Sequence, residues 1–287
     1  MNATCYVCHL RKTLETAQSL GDEKTATAFA RELMQLYLDA PADVASPWFG
    51  PDVNRLFQKY YGLGEDRYIQ EKLDSNQFVM ARFDEIQQRV QKQADPVYAG
   101  LQFSILGNYL DFSALQGQVS FEKLDEMLDM GLAMELDKDC YARLCDELSK
   151  GKRLLYLTDN AGEIAFDRIF AEEIQKKYPH LQITFCVRGG PILNDATRED
   201  AAAVGVPFRI IDNGNLVGGT ELRLLSEEAR EAFESADVII AKGMGNNETL
   251  YGCGYNIYYA FLVKCQFFVE RFGKPMLTPM LVAEKTK

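Results

Sequence analysis

Apolar residues recur every three to four positions over residues 13–19, 23–40, 64–90 and 121–148, with charged faces between them. That spacing predicts amphipathic helices. Asp95-Pro96 interrupts the pattern before another apolar segment, 97–106. Pro41, Pro47 and Pro51, with Gly50, are expected to break the first part of the chain. From about residue 149 the texture changes. Short apolar runs at 154–157, 183–187, 208–211, 238–241 and 261–264 alternate with helical stretches, and Gly- or Asp-rich turns close most of them. Runs of this length between helices read as strands of a parallel sheet covered on both faces. The expected fold class is therefore α/β, with an all-helical N-terminal lobe over 1–148 and the sheet domain over 149–287. The polar stretch Ser149-Lys150-Gly151-Lys152 marks the boundary. No internal repeat or low-complexity tract is present.

The strand ends carry the polar chemistry. The first run stops at Thr158-Asp159-Asn160-Ala161-Gly162-Glu163, and Ile164, Phe166, Ile169 and Phe170 then continue at helical spacing. This puts Asp159 and Asn160 at the carboxyl end of a strand, where open α/β sheets bind ligands. A carboxylate beside an amide oxygen suits a hard divalent cation. Asp and Asn are also favoured helix N-caps, so capping is the competing role. A second turn, Val187-Arg188-Gly189-Gly190-Pro191-Ile192-Leu193-Asn194-Asp195-Ala196-Thr197, follows the neighbouring strand. Asp195 could complete a metal site with Asp159 and Asn160, and Arg188 could face an anion. A third, Lys242-Gly243-Met244-Gly245-Asn246-Asn247, offers backbone N–H groups and an ammonium to an anion. It has neither Walker spacing nor the dinucleotide fingerprint. Gly107-Asn108-Tyr109-Leu110-Asp111 reads as a turn within the helical lobe, and Lys264 as a lysine at a strand end.

Composition narrows the partners. A net charge of −11 and a pI near 4.8 argue against nucleic acid and anionic membrane surfaces. An anionic substrate would need positive charge supplied locally. No apolar stretch has membrane-spanning length, and the first residues lack the form of a signal peptide, so a cytoplasmic location is expected. Seven cysteines in such a chain are expected as thiols. Cys5-Tyr-Val-Cys8-His9 has the form of a haem attachment site, a chemistry of exported proteins. Cys140 and Cys145 are the candidates to complete a structural zinc site with that pair, although their spacing is looser than usual. Thiols at a helix start are the simpler reading.

Three of these motifs together resemble one family. Thr-Asp-Asn-Ala-Gly-Glu, Arg-Gly-Gly-Pro-Ile-Leu-Asn-Asp-Ala-Thr and Ala-Lys-Gly-Met-Gly-Asn, in that order, resemble the DUF89 proteins, the metal-dependent damage-control phosphatases. Gly107-Asn108 and Val263-Lys264-Cys265 fit the same pattern, and the N-terminal Cys-x-x-Cys is similar to the stand-alone microbial branch. The resemblance covers nearly the whole chain. It implies a helical lobe against a Rossmann-like domain and hydrolysis of phosphomonoesters of small metabolites, including sugar phosphates and phosphopantetheine-type compounds. It implies Mn, Co, Ni or Mg as cofactor. It gives Asp159, Asn160 and Asp195 as metal ligands, and with Lys242 these form the expected catalytic set. Arg188, Gly243, Met244, Gly245, Asn246, Lys264, Asn108 and Glu163 are the expected substrate- and phosphate-binding residues.

On this reading a cation on the strand edge polarises a phosphate while Lys242, Arg188 and the Gly243–Gly245 backbone stabilise its charge. Water and the Asp159 carboxylate are both open as nucleophile. The Asp-x-Asp of haloacid-dehalogenase-type phosphatases is missing, with Leu157 and Ala161 at the flanking positions. A non-catalytic module that binds metal and phospho-ligand is the alternative function. A methyltransferase would want a Gly-rich loop after the first strand, where this chain has Asp159-Asn160.

Overall fold

The structure is a computed structural model describing residues 1–109 and 121–284. Among the described residues eight α-helices lead: α1 (Ala3–Leu20), α2 (Glu23–Asp39), α3 (Gly50–Tyr61), α4 (Ile69–Met80), α5 (Phe83–Gln91), α6 (Pro96–Gly107), α7 (Phe121–Leu132) and α8 (Lys138–Lys150). The alternating half follows: β1 (Arg153–Leu157), α9 (Glu163–Lys177), β2 (Gln182–Val187), α10 (Arg198–Ala203), β3 (Arg209–Asp212), α11 (Glu227–Ser235), β4 (Val238–Lys242), α12 (Gly243–Leu250), β5 (Ile257–Leu262), α13 (Gln266–Phe272) and β6 (Pro279–Ala283). No helix among the described residues is long and apolar enough to cross a membrane.

The helical and sheet texture follows the apolar spacing, and the departures have local causes. The stretch 64–90 is two helices, parted at Ala81-Arg82, and 121–148 is parted before Asp137, whose side chain caps α8 by accepting from Cys140 N at 2.8 Å. The expected break at Gly50-Pro51 is a helix start. Proline in a first turn lacks only an N–H that would have no intrahelical partner there. The last parallel strand, β5, covers 257–262 rather than 261–264, so Lys264 lies beyond its end. β6 had no expectation attached to it. It is the antiparallel edge strand, opening on Pro279, a residue suited to edges.

The sheet order is β3-β2-β1-β4-β5-β6, with β1 to β5 parallel. The chain winds from β1 outward to β3, then crosses back to β4 on the other side of β1. The carboxyl ends of β1 and β4 therefore flank the topological switch point. Leu157 is in register with Cys186 on one side and Ala241 on the other, which aligns the three polar turns.

Side chains alternate across β1. Leu154 and Tyr156 join one core cluster, Leu155 and Leu157 the other. The first cluster runs across the expected 148/149 boundary: Leu101, Phe103 and Leu106 of α6 pack with Phe166 and Phe170 of α9 and Tyr258 of β5. Helix α6 is apolar almost all round and buried from Val97 to Gly107 except Tyr98, as a core helix should be. Glycines let it approach α9 closely. A Cβ at Gly100 would stand 3.0 Å from Phe170 Cα. A third cluster, including Phe29, Leu33, Phe49 and Phe57, sits under α1 to α3.

Candidate functional site

The turn after β1 and the turn after β2 are joined by their backbones. Ala196 N donates to Asp159 O at 2.7 Å, and Ala161 N to Asn194 O at 2.9 Å. Asn160 and Asp195 form an antiparallel bridge. Arg188 braces the pair from beneath. Its Nε donates to Asp195 Oδ2 at 2.6 Å, its Nη2 lies 3.8 Å from Asp159 Oδ1, and its Nη1 reaches Asn246 Oδ1 at 3.4 Å. Arg188 is buried, and among the described residues its Nη2 has no hydrogen-bond partner.

Each of the three expected ligands uses one side of its head group internally. Asp159 Oδ2 accepts from Asn108 Nδ2 at 2.9 Å and Asn160 Nδ2 at 2.8 Å. Asp195 Oδ2 is taken by Arg188. Among the described residues, Oδ1 of Asp159, of Asn160 and of Asp195 accept no hydrogen bond. Two carboxylate oxygens and an amide oxygen are thus free on adjoining loops, a donor set that fits a hard divalent cation. No group of three or more His, Cys, Asp or Glu side chains among the described residues is arranged to hold a metal. Here the third donor is an amide.

The surrounding charge favours the same ion. Among the described residues, the buried cations around the two turns are Lys242, Arg188 and Lys72, against Asp159, Glu163, Asp167, Asp195 and Asp200. With every one of these carboxyls ionised the negative surplus is two, the charge of a divalent cation. Burial, then Glu163 and Asp195, push the Asp159 carboxyl up to about 8, against the pull of Arg188 and Lys264. Burial also raises Asp195. Binding a cation would reverse that tendency.

The third turn is not a loose loop but the start of α12. Gly243 has φ +75°, and a Cβ there would stand 2.1 Å from Asp159 Oδ2. Only glycine lets the helix begin so close to that carboxylate. Met244 accepts the Lys264 backbone N–H on its Sδ at 3.3 Å, drawing the β5 turn to the same edge. The Lys264 ammonium makes no hydrogen bond or ion pair among the described residues. Gly245 packs against Gly218 O, and Asn246 binds Thr158 O at 3.1 Å and Lys242 O at 2.7 Å.

Three expectations need correction. Lys242 was expected to face a phosphate. It is wholly buried, its Nζ held by Ser104 O at 2.8 Å, Glu163 Oε1 at 2.6 Å and Asp167 Oδ1 at 2.8 Å. Its donors are spent, because inward-pointing strand positions of a covered sheet enter the core. Glu163, expected on the substrate, is equally buried and binds Lys242, Asn108 and Asn160. Asn108, expected on the substrate too, is clamped between Asp159 and Glu163. Leu110 and Asp111 of the same turn lie outside the described residues. The cysteines stand as the sequence suggests: all seven are free thiols.

Two further residues belong to the site's support. Asp167, partner of Lys242, sits four residues from Glu163 on the same face of α9, a spacing visible in the sequence. Asn76 of α4 accepts from Gly162 N at 2.7 Å and donates to Asp200 Oδ1 at 2.8 Å, tying the helical layer to both turns. Nothing in the sequence singles it out. A cleft of about 730 Å³ between α8 and β6 is lined by none of these residues.

Acidic loops at the switch point of a doubly wound sheet place the protein among α/β proteins whose ligands bind at the strand ends. Comparison with known proteins gives the family. The damage-control phosphatase ARMT1-like domain matches residues 1–278. A damage-control phosphatase of Pyrococcus horikoshii is 34% identical over 210 residues, covering 72% of this chain and 70% of its own. One of Archaeoglobus fulgidus is 35% identical over 206 residues, covering 70% of each. An uncharacterised protein of Methanocaldococcus jannaschii is 34% identical over 281 residues, 94% of this chain and 90% of its own. The crystal structure of a DUF89 family protein from P. horikoshii superposes with a TM-score of 0.84 at 27% identity, covering 99% of both chains. The chain belongs to the damage-control phosphatase ARMT1-like family, and its class is that of a phosphatase acting on damaged metabolites.

Proposed function

We propose that the protein hydrolyses phosphomonoesters of small metabolites, sugar phosphates among them, at a divalent cation held by Asp159, Asn160 and Asp195. The observation that carries this reading is the bridge between Asn160 and Asp195, which sets three free side-chain oxygens on two joined turns. Mn, Co, Ni or Mg would fit such oxygen donors. A cation there supplies polarisation of the phosphate and a lowered pKa of water.

The chain's own groups do the rest. Arg188 Nη2, buried and without a hydrogen-bond partner among the described residues, is a donor left for a phosphate oxygen. The first N–H groups of α12 lack intrahelical acceptors and present the positive end of the helix dipole to an anion. Lys264 adds a charge at the rim that is free among the described residues. Lys242 acts from below, neutralising Glu163 and Asp167 rather than touching substrate. Because phosphoryl transfer depends mostly on positioning and electrostatics, these fixed groups are the parts it needs.

The test is hydrolysis of p-nitrophenyl phosphate after chelation, then with Mn(II) or Co(II) restored. Activity is expected to vanish and return, and Asp159→Ala to stay inactive. Hydrolysis that ignores chelation, or a fully active Asp159→Ala, would overturn the proposal.

A further inference from the structure

We infer that Glu163 is a positioning residue for the cation: it fixes the amide of Asn160 so that Oδ1, not Nδ2, faces the ion. The inference rests on the ion site proposed above. Asn160 Nδ2 donates to Glu163 Oε2 and to Asp159 Oδ2, each at 2.8 Å. That uses both hydrogens. An amide turned over would set its oxygen against two carboxylate oxygens and aim its N–H groups at the cation. Asn108 Nδ2, at the end of α6, lies at 2.9 Å from the same two oxygens and completes a ring of two amides and two carboxylates.

The ring is held rigidly. Lys242 Nζ takes the other Glu163 oxygen at 2.6 Å and supplies the charge a buried carboxylate needs. A Cβ at Gly107 would lie 3.0 Å from Glu163 Cγ, so α6 leaves the side chain no room to withdraw. Orientation thus passes from Lys242 through Glu163 to Asn160 and the ion. Groups that orient a metal ligand without touching the metal commonly change affinity by roughly 10–100-fold.

The test is Mn(II) affinity, by calorimetric titration of chelated and dialysed protein, in four chains: wild type, Glu163→Gln, Asn160→Asp, and the double variant. In Glu163→Gln the Lys242 ammonium claims the new amide oxygen. The new NH2 then faces the NH2 of Asn160 and turns it over. Affinity is expected to fall about 10–100-fold, with the fold kept because Lys242 retains Asp167. Asn160→Asp in that background needs no amide orientation and is expected to recover most of the loss. Asn160→Asp alone adds a third carboxylate to two others and should bind more weakly than the double variant. Recovery in the double variant, with Asn160→Asp alone binding more weakly, is an outcome that neither structural support nor restored charge gives, and an Asn160→Asp chain that binds more tightly than the double variant overturns the role. Affinity unchanged in Glu163→Gln, or a double variant no tighter than it, overturns the role of Glu163. Should Glu163→Gln fail to fold, Glu163→Asp keeps the charge and withdraws the carboxylate, and unchanged affinity there overturns the role equally. A wild type that takes up no Mn(II) overturns the ion site itself.

Discussion

Gly243→Ala is the sharpest single perturbation of the site. Two effects separate cleanly. The backbone there is left-handed, φ +75°, which costs a residue with a Cβ about 1–2 kcal/mol. The new methyl would also stand 2.1 Å from Asp159 Oδ2 and 2.3 Å from its Cγ, where ordinary contact begins at 3.4 Å. Asp159 must therefore move by about 1 Å, and a displacement of that size at a reacting centre costs on the order of 10²-fold in rate. Gly62→Ala is the control. Its φ is +64° and, among the described residues, nothing lies within 4 Å of a Cβ there, so it carries the backbone penalty alone. Thermal unfolding and kcat/KM on p-nitrophenyl phosphate with saturating Mn(II) are the assays. Both variants should lose similar stability from the backbone, and only Gly243→Ala should lose activity. If Gly243→Ala keeps kcat/KM close to wild type, the contact between α12 and Asp159 has no part in function.

Asn76→Ala strips a buried acceptor from Gly162 N and a donor from Asp200. Urea denaturation should show a loss of about 2–3 kcal/mol, and a negligible loss would mean α4 does not brace the turns. Burial raises the Asp167 carboxyl to about 7, overcoming the attraction of Lys242. The folded chain then holds that proton more tightly than the unfolded one. The stability it contributes is full below about pH 4 and lost as pH climbs to about 7. Asp167→Asn should therefore flatten the pH dependence of stability over that window in chelated protein, and an equally steep profile would contradict the assignment. Lys264→Met should raise KM for p-nitrophenyl phosphate about tenfold, as loss of one charge-assisted contact does, with Mn(II) affinity unimpaired. An unchanged KM would remove Lys264 from the substrate site.

The architecture was legible because its causes are periodic. Short apolar runs between helical stretches gave β1 to β4 nearly to the residue, and the polar turns at their ends set Asp159, Asn160, Asp195 and Arg188 at the strand edge by position. Family likeness added the substrate class, which no spacing contains. What escaped was set by tertiary contact. Proline at Gly50-Pro51 reads as a breaker until the helix it opens is seen. Lys242 reads as a phosphate contact because an ammonium at a strand end is usually wet. Its burial depends on Glu163 and Asp167 arriving from α9 and Ser104 from α6. Asn76 stands 86 positions from the glycine it holds, a separation no local pattern registers.

On the proposed function, a single cation held by two carboxylates and one amide makes this chain a phosphatase. Titrating Mn(II) into the chelated protein while following both bound ion and phosphate release tests it most directly. Activity should rise in step with binding and saturate at one ion per chain, and Asp195→Ala should show neither tight binding nor activity. Full activity without metal, or an Asp195→Ala variant that binds and turns over as the wild type does, would contradict it.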